Sequence, residues 1–168
     1  MHKTGCRSEQ TRESIRVIDK SVQDLCESLT DTLVIVIADH GHIDVRYHVI
    51  TDSPEIHSML KRPISVENRA AAFYIKDECK RQFPEGFKQT YGDEFLLLSQ
   101  DEVLSSGLFG SGTRNSRLLE SVGDFLAIAV SDTALAYSHE SKQHVSTHAG
   151  LTDAEMRVPL ILIEKPAM

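Results

Sequence analysis

Apolar residues Ile15, Ile18, Val22, Leu25 and Leu29 recur at spacings of three and four, so residues 8 to 30 read as a helix with one apolar stripe. Ser8 is suited to cap its start. Asp31 and Thr32 break the period, and Leu33-Val34-Ile35-Val36-Ile37-Ala38 follows without a polar residue. Such a short, β-branched run predicts a strand covered on both faces within a parallel sheet. A helix followed by a buried strand is half of an α/β unit. A second strand of this kind, Val158 to Ile163, is entered through Pro159.

Between these strands the pattern changes. Ser53-Pro54 opens a short helix through Leu60, with proline at the first helical position. Ala70 to Lys76 reads as a strand, Glu78 to Tyr91 as an irregular helix and Phe95 to Leu98 as a strand. Ser99 can cap a helix that begins near Asp101 and ends by Gly107 or Gly110, and the Gly- and Ser-rich stretch Leu108 to Asn115 is a loop. Phe125 to Val130 is an apolar strand, which Ala134 to Tyr137 is expected to join across a turn at Ser131 and Asp132. Residues 50 to 140 are therefore expected to form an α+β insertion within a single domain spanning 1 to 168. The fold class is α/β, a parallel-sheet core portion carrying that lobe.

With 168 residues, 40% hydrophobic and 26% charged, the chain can bury a core. The run from Leu33 to Ala38 is too short to cross a bilayer, and the polar start Met-His-Lys-Thr-Gly-Cys has no apolar core of a signal peptide. The three cysteines Cys6, Cys26 and Cys79 have no C-x-x-C spacing and read as free thiols in a reducing, cytoplasmic compartment. A net charge of −7 without a long basic run argues against binding a nucleic-acid backbone. An anionic substrate would then need local attraction, which bound divalent cations can supply.

Two segments could carry chemistry. Ala38-Asp39-His40-Gly41 sits at the carboxyl end of the first buried strand, where open α/β sheets bind ligands. Adjacent strand residues point to opposite faces. In a turn, with Gly41 free in its dihedrals, Asp39 and His40 can converge on one ion. On spacing alone, a turn-starting aspartate beside a solvated histidine fits as well. The second segment, His148-Ala149-Gly150-Leu151-Thr152-Asp153-Ala154-Glu155-Met156, puts an imidazole in a small-residue loop before Val158-Pro159-Leu160-Ile161. Thr152 can cap one helical turn over Asp153 to Met156. A lone loop histidine is more often solvated than ligating, and His139 and His144 nearby read as surface residues.

Together these blocks resemble the type I phosphodiesterase/nucleotide pyrophosphatase family of the alkaline phosphatase superfamily. Gly41-His42-Ile43-Asp44-Val45, Ile64 to Ala70, Leu108-Phe109-Gly110 and Gly123 to Ala129 look like blocks of the same family, so the likeness spans nearly the whole chain. It implies an alkaline-phosphatase-like core and two divalent metals, zinc or manganese, about 4 Å apart. On that pattern Asp39 and His40 fall to one metal and His148 to the other. His2, just ahead of the first helix, matches a further metal-binding histidine.

The chain also departs from the family. The aspartate expected before His2, the first strand and the Thr or Ser nucleophile have no counterpart here. Each ion would keep two protein ligands, so metal binding is expected to be weak or absent, and no residue is assigned as catalytic. The resemblance thus implies a C-terminal portion of a phosphodiester- or pyrophosphate-cleaving hydrolase, inactive as the isolated chain, whose intact relatives act on phosphate-ester small molecules. A phosphomutase- or sulfatase-type relative and a non-catalytic binding remnant are the alternatives. An exposed sheet edge would favour a homodimer.

Overall fold

The computed structural model describes residues 1–113 and 115–167. Helix α1 (Glu9–Glu27) begins at Ser8, whose hydroxyl accepts from the Thr11 amide at 3.1 Å and so satisfies one unpaired donor of the first turn. Strand β1 (Thr32–Ile37) follows. Next come β2 (Ile43–Asp44), β3 (Arg46–Val49), α2 (Pro54–Met59), β4 (Ser65–Val66) and β5 (Ala70–Phe73). Then come α3 (Phe83–Tyr91), β6 (Phe95–Ser99), α4 (Gln100–Ser105), α5 (Leu118–Val122) and β7 (Phe125–Ala129). The chain continues through β8 (Thr133–Ala136), β9 (Ser146–Thr147), α6 (Asp153–Met156) and β10 (Leu160–Lys165). The α/β class holds. No helix among the described residues is long and apolar enough to cross a membrane.

The centre of the lobe is an antiparallel sheet in the order β4-β5-β7-β6. Strand alternation sorts its side chains into two cores. Ala71, Phe73, Ala127 and Ala129 face Phe83, Phe87 and Tyr91 of α3 and Ile56 and Met59 of α2. Ala72, Leu126 and Ile128 face Val103 of α4 and Val122 of α5. The rings of Phe73, Phe83 and Phe87 lie 5.3–5.7 Å apart, within the range of favourable aromatic pairs. Helix α4 carries a capping box between Ser99 and Glu102.

Two pairings differ from expectation. Strands β1 and β10 share a sheet, but they run antiparallel, from Thr32 opposite Lys165 to Ile37 opposite Leu160. Their apolar runs reported a need for cover on both faces, not the direction of the neighbour. That cover is missing among the described residues: Ile18 of α1, Ile35 and Leu162 are 56–60% exposed. Strand β8 does not join β7. Both edges of β7 are taken by β5 and β6, so β8 pairs in parallel with β3 instead.

Candidate metal centre

The site forms where three loops meet beyond the carboxyl end of β1. Its frame is the two-residue ladder of β2 and β9, with Ile43 opposite Thr147 and Asp44 opposite Ser146. His42 immediately precedes β2 and His148 immediately follows β9, so the antiparallel register sets these residues opposite each other. The amino-terminal turn joins alongside, with the Val145 amide donating to the His2 carbonyl at 2.9 Å. Ladder and turn together bring His2, His42 and His148 close enough for one nitrogen of each to lie within 4.8 Å of the other two.

The loop after β1 is held by a close backbone approach. The Gly41 amide donates to the Glu155 carbonyl at 2.7 Å, and a Cβ at Gly41 would stand 1.9 Å from the Ala154 carbonyl oxygen. Glycine is therefore required here by contact with α6. Its φ lies outside the left-handed region, which corrects the expectation that unusual dihedrals were the reason. Helix α6 is itself anchored from the lobe. Arg69, fully buried ahead of β5, donates to both Glu155 carboxylate oxygens at 2.6 Å and to the Ser131 carbonyl at 2.9 Å. It also donates to the Thr133 carbonyl. Burial pushes the Glu155 carboxyl up, but Arg69, Thr152 and the Gly150 amide outweigh this and hold it below its ordinary value. Ala149, between His148 and Gly150, sits at φ 82°, a strained position for a residue with a Cβ.

Each residue nominated from the sequence can now be placed. His40 stacks on His148 with ring centroids 3.8 Å apart. Its Nδ1 donates to the Gly41 carbonyl at 2.8 Å, and its Nε2 lies 3.6 Å from Asp39 Oδ2. Asp39 is exposed, and its Oδ1 accepts from the His40 amide at 3.0 Å. His2 lies 5.6 Å from His148, centroid to centroid, and its Nδ1 faces the Ser146 carbonyl at 2.9 Å. His139 is exposed beside Asp52, whereas His144 is half-buried, 4.5 Å from His2. Sequence reasoning missed His42. A two-residue ladder has too few positions to show alternation, and the one available signal was a third histidine directly after Asp39-His40-Gly41.

The donor set has the chemistry a divalent cation needs. Nε2 of His42 is buried and has no hydrogen-bond partner among the described residues. Burial, and then His2 and His148, lower the His42 pKa to about 4, so the ring is neutral near pH 7. His148 is lowered too, first by burial and then by His40. Neutral imidazoles facing one another with lone pairs and no shared proton suit zinc and similar ions. Burial raises the pKa of the Cys6 thiol, whose Sγ stands 4.0 Å from His42 Nδ1. The residues fit a cation. A cleft of about 520 Å³ lined by Arg62, Tyr74, Gln100 and Asp124 belongs to the lobe and contains none of these histidines.

A family model described as type I phosphodiesterase / nucleotide pyrophosphatase matches residues 1–149. No curated protein matches the chain. Among solved structures, murine ectonucleotide pyrophosphatase / phosphodiesterase 5 superposes with a TM-score of 0.72 at 16% identity, over 98% of this chain and 44% of that one. An inactive variant of the murine protein in complex with AMP gives 0.72 at 15%, over 99% and 46%. Phosphonoacetate hydrolase from Sinorhizobium meliloti 1021, in complex with phosphonoacetate, gives 0.65 at 16%, over 96% and 42%. At these identities the likeness shows a shared fold, and the chain spans less than half the length of these neighbours.

Proposed function

The chain belongs to the type I phosphodiesterase / nucleotide pyrophosphatase family, a family of phosphoester hydrolases, and from this we propose that it forms the metal-binding C-terminal portion of a hydrolase acting on phosphodiester or pyrophosphate bonds of small nucleotides. The observation that carries the reading is the meeting of the two motif loops, with Gly41 against Glu155 and His40 stacked on His148. Asp39 and His40 supply a carboxylate and an imidazole for one divalent cation, and His148 and His2 supply imidazoles for another. When bound, such ions polarise phosphoryl oxygens and lower the pKa of an attacking hydroxyl or water. The protein's part is to hold the imidazoles and one carboxylate beside one another. The AMP held by the murine neighbour supports a nucleotide as ligand.

The hydroxyls of Ser99 and Thr152 meet carboxylates as parts of helix capping boxes, and Tyr137 meets His57 in a pocket without the site histidines, so turnover by the chain alone is expected to be negligible. Binding is the sharper test. AMP should bind the purified chain when zinc or manganese is present and not when metal is chelated, and Asp39→Ala should weaken that binding. Metal-independent AMP binding, or none with metal bound, would refute the reading. Rapid metal-dependent hydrolysis of bis-p-nitrophenyl phosphate that disappears in Asp39→Ala would refute the inactivity.

A further inference from the structure

We infer that His42 is the third protein ligand, with His2 and His148, of one of the two cations, in a tri-imidazole centre. The inference rests on the metal-binding reading above and deepens it, because it gives one ion three protein ligands where the family blocks account for two. The register of β2 and β9 carries it: Ile43 opposite Thr147 sets His42 opposite His148, and His2 is tied to the same ladder through Val145 and Ser146. Three donors no more than 4.8 Å apart lie at most about 2.8 Å from a common centre. Zinc–imidazole bonds are about 2.0–2.1 Å, so small side-chain rotations complete the site.

The outer contacts orient the rings. Nδ1 of His2 donates to the Ser146 carbonyl, which leaves Nε2 free to ligate. Nδ1 of His42 faces Cys6 Sγ, and its Nε2 is buried without a partner among the described residues. An unpaired buried nitrogen is costly, and a metal bond would remove that cost. His40 stays outside the triad, turned toward Asp39. Three imidazoles with a fourth position open to water or a phosphoryl oxygen describe a catalytic type of zinc site, whereas a structural site has four protein ligands.

The experiment is zinc titration of the full chain, with cobalt substitution as a spectroscopic readout. One tightly held zinc per chain is expected. His42→Gln should weaken it by more than about 100-fold, since loss of an outer-sphere partner alone costs about 10–100-fold. His139→Gln, at an exposed position, should leave affinity and the cobalt spectrum unchanged. If His42→Gln fails to fold, X-ray absorption on zinc bound to the unaltered chain decides, with three imidazoles expected and two or fewer overturning the inference. If His42→Gln binds zinc like the unaltered chain while His148→Gln does not, the role of His42 is wrong and the family-type site stands. If the unaltered chain binds no zinc, both readings fall.

Discussion

The lobe around β4-β5-β7-β6 and the outer ribbon of α1, β1 and β10 both carry apolar runs but use them differently. In the lobe, each face of the sheet meets a helix pair, and Phe73, Phe83 and Phe87 are almost wholly buried. Among the described residues, β1 and β10 of the ribbon pair only with each other, and Ile15, Ile18 and Leu25 of the α1 stripe are exposed. Burial on two faces lets the lobe carry the stability of this chain. The ribbon instead ends in the histidine-bearing loops and leaves apolar surface exposed. The candidate centre sits between the two, held from the lobe by Arg69 and carried on loops that leave the ribbon.

The comparison breaks most readily at the aromatic core. Phe87→Ala removes a buried ring packed on Phe73, Phe83 and Tyr91 and should cost about 3–5 kcal/mol in urea unfolding. A loss below about 1 kcal/mol would mean the lobe does not dominate stability.

The link between lobe and site comes next. Arg69→Met leaves the Glu155 carboxylate buried without its partner and should cost about 3–5 kcal/mol, toward the lower end because the Gly150 and Thr152 amides and the Thr152 hydroxyl still bond it. The same change should loosen α6, and with it the hold on Gly41, so zinc affinity should fall together with stability. Stability lost with zinc affinity intact would show that the loops keep their places without the lobe.

How much was legible follows the same divide. Ser8, Ser99 and Thr152 marked their helices because a capping residue acts within one turn. The runs at Leu33 and Val158 marked strands because their apolar character is continuous. Pairing partners depend on which edges are free, and this is a property of the assembled sheet. That is why β8 was expected beside β7 and why β1 and β10 were expected in a parallel sheet. At the candidate site, Asp39, His40, His148 and His2 were nominated through resemblance of their sequence blocks. His42 and the half-buried position of His144 needed the β2–β9 register, which four residues cannot announce. The apolar stripe of α1 was legible from its spacing, and the structure leaves Ile15, Ile18 and Leu25 of it exposed.

A smaller effect concerns pH. Unfolded histidines take up protons near pH 6.5. His42 resists until about 4, and His148 and His144 are also lowered, each first by burial and then by neighbouring charged groups. The unfolded chain therefore binds more protons across the window from about 6.5 toward 4, and stability should fall as pH falls through it. Ordinary carboxylates titrate mainly below about pH 5, so the metal-free urea midpoint between pH 7.5 and 5.5 reports the imidazoles. His42→Gln should flatten that slope. A midpoint that rises on acidification would contradict the packing of these neutral rings.

The smallest effect on stability belongs to the ribbon, and there the informative readout is association. Ile35 and Leu162 are more than half exposed, so replacing both with lysine removes little burial and should change unfolding by no more than about 0.5 kcal/mol per site. Both strands, however, have one edge without a strand partner among the described residues, flanked by exposed Leu33, Ile37, Leu160 and Ile161. We propose that copies of this chain associate through that surface, since unpaired strand edges with apolar flanks favour strand addition and lysine at an edge opposes it. Sedimentation equilibrium should show the unaltered chain associating and the Ile35→Lys, Leu162→Lys double variant shifting to monomer, while Phe87→Ala alters stability without that shift. If the unaltered chain stays monomeric at the highest concentration tested, self-association is wrong. If the double variant instead unfolds at much lower urea, the ribbon packs more tightly than its exposure indicates, and the contrast between the two regions fails.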